Sequence, residues 1–166
     1  MRDYVTEVIV LHKEPLQEMD SRVFLYTRDS GKVIAKVTSG RKITSKLSPH
    51  LEPLSIATVR IIEKNGVRIA DALRAHALPL THLPYVQLVH AMTFVGHRDN
   101  LLWDALRDET TSLVKLLAIL GFNPEVSVCE MCNGRDIHYF FFEDAGYFCK
   151  RCFPSSFSSG EYLALS

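Results

Sequence analysis

The chain's four cysteines fall into two Cys-x-x-Cys pairs, with sixteen residues between the pairs: Cys129, Cys132, Cys149 and Cys152. That spacing leaves room for a hairpin that brings the second pair back to the first. Four thiolates complete the tetrahedral coordination of Zn²⁺ and leave no position for water or substrate. The pattern therefore predicts a structural zinc ribbon over residues 129–152, with no catalytic role for the metal.

Two other uses of the cysteines stay open from spacing alone. A redox Cys-x-x-Cys needs only one pair, whose thiolate is favoured by a helix N-terminus, and it leaves the second pair unexplained. Two disulfides need an oxidising compartment, whereas residues 1–7 lack the apolar core of a signal sequence. We therefore expect a reducing, cytoplasmic location. We also expect His138 to be an ordinary residue of the hairpin and not a ligand.

The charged residues are unevenly distributed along the 166-residue chain. Its net charge is zero and 47% of its residues are hydrophobic, as in a folded protein. Between positions 22 and 46, however, seven basic residues stand against one acid, Asp29. Such a local excess is either a solvated face or the footprint of a phosphate-binding surface.

The N-terminal half has the pattern of short antiparallel strands. We expect a loop at 14–20, an exposed basic loop at 39–50, and hairpin turns at 29–31 and 65–66. The expected strands cover residues 4–12, 22–28, 32–38, 54–64 and 67 onwards. Five short strands joined by such turns predict a small closed β-barrel of the OB type.

Alternation assigns faces to two of these strands. In the third strand, Lys32 and Lys36 share a face that should look outward, because unpaired lysines are rarely buried. In the second strand, Phe24 and Tyr26 share a face with Arg22 and Arg28. That face is either an outward stacking platform for bases or part of the barrel core. We favour the core, because large aromatics are mostly buried.

The hydrophobic period changes after residue 77. A helix is expected over 85–97, and a longer one from Asp99 or Asn100 to Gly121. The longest apolar helical run, 112–122, contains Lys115 and is too short to span a bilayer. We therefore predict an α+β protein: an OB-fold DNA-binding domain over 1–76, then a small helical domain over 77–166 with the inserted four-cysteine zinc ribbon.

Several segments of the chain resemble the RecO family of recombination mediators. They are the opening strand up to His12, the acidic break 17–20, the strand 25–28, the loop 40–46, and the helix-to-cysteine region 116–124. The resemblance implies a bacterial, nucleoid-associated protein of DNA repair, recombination and the DNA damage response. It would bind single- and double-stranded DNA, anneal strands, and help a RecR-like partner load RecA.

The same resemblance implies residue roles and a further partner. The loop residues Arg41, Lys42 and Lys46 would contact DNA, supported by Arg22, Lys32 and Lys36. In the family the helical domain also carries a groove for the tail of the single-stranded-DNA-binding protein. Only two helices are clear in this sequence, fewer than in the helical domain of typical family members.

The class of function is expected to be non-enzymatic. The chain has no His-Glu-x-x-His, no Gly-x-Ser-x-Gly and no phosphate-binding glycine loop. The alternative to a DNA-annealing mediator is a zinc-ribbon module that docks a protein partner and has no annealing activity. In that case the basic loop is only a solvated surface.

Overall fold

The computed structural model describes residues 1–17, 19–39, 45–153 and 162–165. Internal contacts divide the chain into two units, Met1–Glu109 and Thr110–Ser166. Within the described segments, every helix is too short or too polar to cross a membrane.

Five strands, antiparallel except at one junction, form the body of the first unit. They are β1 (Arg2–Leu16), β2 (Asp20–Thr27), β3 (Gly31–Val37), β4 (Ser55–Glu63) and β5 (Val67–Ala77). Their order is β1-β2-β3-β5-β4, and β4 also pairs with β1, so the sheet closes into a barrel. The last closure, between β3 and β5, is parallel and runs through the pair Lys36 and Arg68. The prediction of a five-stranded N-terminal sheet is confirmed.

Alternate residues of every strand fill the barrel interior. The cluster includes Val8, Val10, Val23, Leu25, Val33, Ala35, Val37, Ala57, Val59, Ile61, Ile69 and Ala72. They are β-branched or small for the most part, which suits the limited space inside a small barrel. Their period of two fixes the strand register, because a slip by one residue would turn each apolar side chain outward.

The first strand is longer than its sequence indicates. The expected break at 14–20 is wrong for its first half, since β1 continues through Pro15 to Leu16. Strand pairing with β4 ends at Ile9, so beyond that point β2 is the strand paired with β1 in the described residues. A proline is tolerated more readily where a strand has a partner on one side only. A register shift between Val10 and His12 bends the strand at the same place.

Two helices follow the barrel within the first unit, α1 (Leu83–Met92) and α2 (Asn100–Arg107). Asp99 caps α2, and its Oδ1 accepts hydrogen bonds from the amides of Leu101 and Leu102 at 2.8 and 3.1 Å. The first helix ends at Met92, five residues earlier than expected. Thr93 is extended there and Gly96 has a φ of 79°.

The aromatic face of β2 is covered by this helical segment. Phe24 packs edge-on against His90 of α1, with ring centroids 4.6 Å apart. Tyr26 is fully buried, and its hydroxyl accepts a hydrogen bond from the amide of Asp99 at 3.1 Å. Neither ring belongs to the barrel interior, where Val23 and Leu25 lie. Assigning Phe24 and Tyr26 to the barrel core is therefore wrong, although burial of Tyr26 was correctly expected.

Lys32 holds α1 to the same face. It is only 7% exposed, and its Nζ donates hydrogen bonds to the carbonyls of His90 and Thr93 at 2.5 and 3.0 Å. The carbonyl of Lys32 in turn accepts from the amide of Gly96 at 2.9 Å. A cation at a helix C-terminus is favoured by the unpaired carbonyls and the helix dipole. Lys32 does lie on the outer face of β3, opposite Val33, Ala35 and Val37, but the expected exposure of its ammonium is wrong because α1 covers it.

The second unit contains α3 (Leu113–Ile119) and three short strands, β6 (Tyr139–Phe141), β7 (Gly146–Phe148) and β8 (Tyr162–Ala164). The single long helix expected up to Gly121 is wrong, because the chain is extended at Asp108 and starts α3 anew. Ser112 caps α3 by accepting from the amide of Lys115 at 3.2 Å. The β6–β7 hairpin confirms the strand pair expected between the cysteine pairs.

Gly31 provides a test of how closely the β2–β3 turn approaches the segment after α1. Its φ is 64°, and an added Cβ would lie 1.9 Å from the carbonyl oxygen of His97. Gly31→Ala should lower the free energy of unfolding by more than about 1 kcal/mol, measured by urea denaturation. Gly96→Ala is the control, since its φ is also positive but its Cβ would meet nothing within 4 Å. Equal losses for both would contradict the close approach.

His90 gives the barrel–helix contact a dependence on pH. Burial first, and then the charges of Lys32 and His12, lower the pKa of His90 from 6.5 to about 4. The unfolded chain therefore binds this proton more readily, so stability is complete above pH 6.5 and falls as the pH drops toward 4. His90→Phe should flatten that slope in urea titrations, whereas the exposed-site control His76→Phe should not. An unchanged slope in His90→Phe would contradict the assignment.

Candidate metal centre and basic surface

The four cysteines come together in the second unit. Their Sγ atoms all lie within 4.8 Å of one another, and those of Cys132 and Cys149 are 3.8 Å apart. Sulfurs bound tetrahedrally about 2.3 Å from Zn²⁺ are separated by about 3.8 Å. All four cysteines are free, so no disulfide links them. The group has the ligand set and dimensions of a four-thiolate metal site, and it fits zinc.

Tight backbone turns hold each pair of cysteines. In the first, the amide of Asn133 donates to the carbonyl of Cys129 at 2.8 Å, with Asn133 at a φ of 57°. In the second, the amide of Cys152 donates to the carbonyl of Cys149 at 3.2 Å. An asparagine tolerates the left-handed conformation better than most residues. Each turn points two sulfurs toward a common centre.

The hairpin between the pairs connects the two turns. The amide of Glu130 donates to the carbonyl of Tyr147 at 2.9 Å, and Cys129 forms a parallel bridge with Tyr147. Phe140 is fully buried against the rings of Tyr147 and Phe122, at 5.0 and 5.3 Å between centroids. The Tyr147 hydroxyl donates to the carbonyl of Phe122. Aromatic packing thus fixes the hairpin that brings Cys149 toward Cys129.

The electrostatics of the four thiols favour a bound cation. Burial raises the pKa of Cys129, but backbone N–H groups of Cys149, Cys132 and Met131 outweigh it and hold that pKa at about 6. Hydrogen bonds with Cys149 and Cys132 raise the pKa of Cys152 to about 12. The four thiols therefore do not ionise independently of one another. A divalent metal supplies the positive charge that four thiolates together require.

His138 lies outside this ligand group. Its Nε2 is 3.0 Å from the carboxylate of Asp136, and its backbone continues the pairing toward Phe148. The metal-ligating group found among the described residues consists of the four cysteines alone.

The six residues expected to contact DNA have different environments. Arg41 and Lys42 lie outside the described residues. Lys46 is exposed. Arg22 forms an ion pair with Glu14 at 2.8 Å, and Lys36 pairs with Asp20 at 2.6 Å, yet both side chains keep more than 40% of their surface exposed. Lys32 has its ammonium buried beneath α1, so its charge is committed to the helix C-terminus.

Two further cations lie near Lys36. Lys64 and Arg68 flank the Asn65-Gly66 turn between β4 and β5, and with Lys36 and Thr38 they line an open groove of about 500 Å³. The expected DNA contacts included neither residue. The sequence signal for Lys64 and Arg68 was a hairpin turn with a cation on each side. Lys36 joins them only because β3 closes on β5, and local sequence does not show that closure.

The fold and the site together define a class of protein: a small basic-edged β-barrel followed by a unit with a four-cysteine metal centre. A family model described as recombination protein O, N-terminal, matches residues 1–78. The chain is 26% identical to a DNA repair protein RecO of Thermodesulfovibrio yellowstonii, over 98% of this chain and 75% of that protein. It is 25% identical to the RecO of Bacillus pumilus over 89% and 68%, respectively.

A third relative, the RecO protein of Caldanaerobacter subterraneus, is 26% identical over 92% of this chain and 72% of its own length. The alignments thus extend through the barrel and well into the cysteine-containing unit. The chain is therefore similar in sequence to RecO proteins over most of its length, and its residues 1–78 match the model of their N-terminal domain.

The metal centre can be tested by substitution of a buried ligand. Purified protein should contain about one zinc per chain, and Cys149→Ser should lose it, because three thiolates complete only part of the tetrahedral shell. Zinc released by a thiol-modifying reagent and counted with a colorimetric chelator measures both. Lys150→Ala, an exposed neighbour in the same turn, should keep its zinc. Metal-free wild-type protein with four reactive thiols would contradict the assignment.

Proposed function

We propose that this protein is a non-enzymatic recombination mediator that binds and anneals DNA strands. In this proposal the barrel is of the OB type, which the strand order β1-β2-β3-β5-β4 supports. The proposed division by function is 1–76 for DNA binding and 77–166 for the helical domain, whose helices α1 and α2 belong to the same compact unit as the barrel. The proposed metal is a structural Zn²⁺ held by Cys129, Cys132, Cys149 and Cys152.

The observation that carries the proposal is the basic edge of a barrel whose sequence matches the RecO N-terminal domain. Seven of the eight charged residues between 22 and 46 are basic, and Arg22, Lys36 and Lys46 keep exposed charge. Each cation that neutralises a phosphate releases condensed counterions, which favours binding without sequence preference. Arg41 and Lys42 extend the same set in sequence.

The zinc would act by holding structure. Bound there, it supplies a closed four-thiolate cross-link between the two turns of the hairpin and no site for substrate. The turns at Cys129 and Cys149 and the ring of Tyr147 position the sulfurs for it. We infer that the unit held in this way is the part that binds protein partners. We propose as partners a RecR-like protein and the tail of the single-stranded-DNA-binding protein.

Strand annealing tests the function directly. The protein should accelerate pairing of complementary oligonucleotides, both bare and coated by the single-stranded-DNA-binding protein, as followed by fluorescence quenching. If only the bare strands anneal faster, the tail of the single-stranded-DNA-binding protein is not a partner. No acceleration, together with a stable complex with a protein partner, would support a zinc-ribbon interaction module in place of the mediator.

The phosphate contacts are tested by salt dependence. With about four contacts, the slope of log K against log salt should be near −3 for single strands. The triple variant of Arg41, Lys42 and Lys46 to Ala should reduce that slope by about 2 and weaken different sequences alike. A variant with Lys115, Arg135 and Lys150 changed to Ala removes the same charge outside the barrel and is the control. If both variants have the same slope of log K against log salt, the loop residues are not the phosphate contacts.

A further inference from the structure

The groove at the closure of the barrel has the composition of an anion site. It lies between the end of β3 and the β4–β5 hairpin. It is open to solvent and has a volume of about 500 Å³. Its lining consists of Lys36, Thr38, Lys64, Asn65, Gly66, Val67 and Arg68. Three of these seven residues are cationic, two are polar, and none is acidic.

Backbone geometry keeps the cations close to one another. Lys36 and Arg68 are directly paired across the parallel β3–β5 contact, so their side chains leave the sheet side by side. Lys64 is joined to the same hairpin by the hydrogen bond of its amide to the carbonyl of Gly66 at 3.1 Å. Asn65 and Gly66 have φ values of 54° and 113°, which the tight turn requires. The site is therefore built on strands and a short turn.

The positive charge in the groove is only partly neutralised by the protein. Lys36 pairs with Asp20. Lys64 and Arg68 are exposed and make no ion pair among residues 1–17, 19–39, 45–153 and 162–165. Glu63, the nearest acid in sequence, is engaged by Tyr4 at 2.9 Å and by Arg2 at 3.8 Å. Two cations thus line one open groove without a protein counter-charge among the described residues, so both would attract an anion bound there.

The lining also indicates which part of a nucleic acid it would contact. It contains no aromatic ring on which a base could stack, and Val67 is its one apolar side chain. On the neighbouring β2–β3 face, α1 and the segment after it cover Phe24, Tyr26 and Lys32. Where the helix covers it, that face therefore offers neither the ring of Tyr26 nor the ammonium of Lys32 to a strand. The exposed cations of the groove remain available, as do Arg22 and Lys46.

We propose that the groove lined by Lys36, Lys64 and Arg68 binds the phosphate backbone of a nucleic-acid strand, with Lys64 and Arg68 as its principal contacts. The inference deepens the proposed DNA-binding function and rests on it. Contacts of this kind set position and affinity and carry no base specificity. The β4–β5 hairpin thereby becomes a second contact element beside the basic segment 41–46.

The test is a double substitution with a matched control. Lys64→Gln/Arg68→Gln removes the two unpaired charges, whereas Arg74→Gln/Arg98→Gln removes two exposed charges from the same unit outside the groove. Binding of labelled oligo-dT and of a mixed-sequence strand is measured by fluorescence anisotropy over a range of salt. The groove variant should bind both strands about tenfold more weakly at moderate salt, with a slope smaller by about 1.4.

The outcomes separate the groove from the function as a whole. In one outcome, the wild-type protein binds with a steep salt slope while the groove and control variants have equal affinities. That result would show that the groove does not contact the strand, and the proposed function would stand. Absence of salt-dependent binding by the wild-type protein would overturn both. A loss of affinity confined to one of the two sequences would indicate base recognition in place of backbone contact and would overturn this proposal.

Equal urea midpoints for the two variants establish that folding is intact. If the midpoints differ, the single variants Lys64→Gln and Arg68→Gln decide, each with an expected slope change of about 0.7.

Discussion

The packing of α1 on the outer face of β2 and β3 is the constraint on which the first unit depends. Phe24 and Tyr26 are large aromatics on the outside of a small barrel, and leaving them in water would forgo much of their hydrophobic free energy. The helix covers them, and the ammonium of Lys32 binds its last carbonyls, so one cation anchors the cover. Gly31 permits the chain after the helix to approach the β2–β3 turn.

That packing decides which barrel surfaces remain available for a ligand. The helix covers part of the outward face of β2 and β3, including Lys32 at the start of β3. The charges of the β3 end and the β4–β5 hairpin are left in solvent. The packing of α1 and the proposed DNA contact thus use different ends of β3 on the same outward face.

The cysteine unit illustrates a different physical solution. Its strands have three residues each and its helix seven, so regular structure alone supplies few cooperative hydrogen bonds. Small units of this size gain stability from a metal or other cross-link because they bury too little apolar surface. The four sulfurs are joined through the aromatic hairpin around Phe140 and Tyr147. A four-thiolate site would therefore serve the fold, and we propose the barrel as the part that binds nucleic acid.

Much of this architecture could be predicted from local sequence. Alternating apolar residues and the Asp-Ser-Gly and Asn-Gly turns specify five strands, because periodicity and turn chemistry act over a few residues. The cysteine spacing specifies the metal ligands for the same reason. The helix boundaries were harder to predict from local sequence. The end of α1 and the start of α3 depend on Lys32 and on the Ser112 cap, which compete with a continuous apolar period.

The sequence by itself thus predicted the five strands of the barrel, the grouping of the four cysteines and the similarity to RecO proteins. The tertiary structure decided the role of each charged or aromatic side chain on the barrel surface. Lys32 and Lys36 look equivalent by alternation, yet Lys32 meets a helix carbonyl 58 residues away in sequence, whereas Lys36 lies beside Arg68. Which element covers which part of a sheet depends on contacts distant along the chain. Local periodicity cannot contain that information.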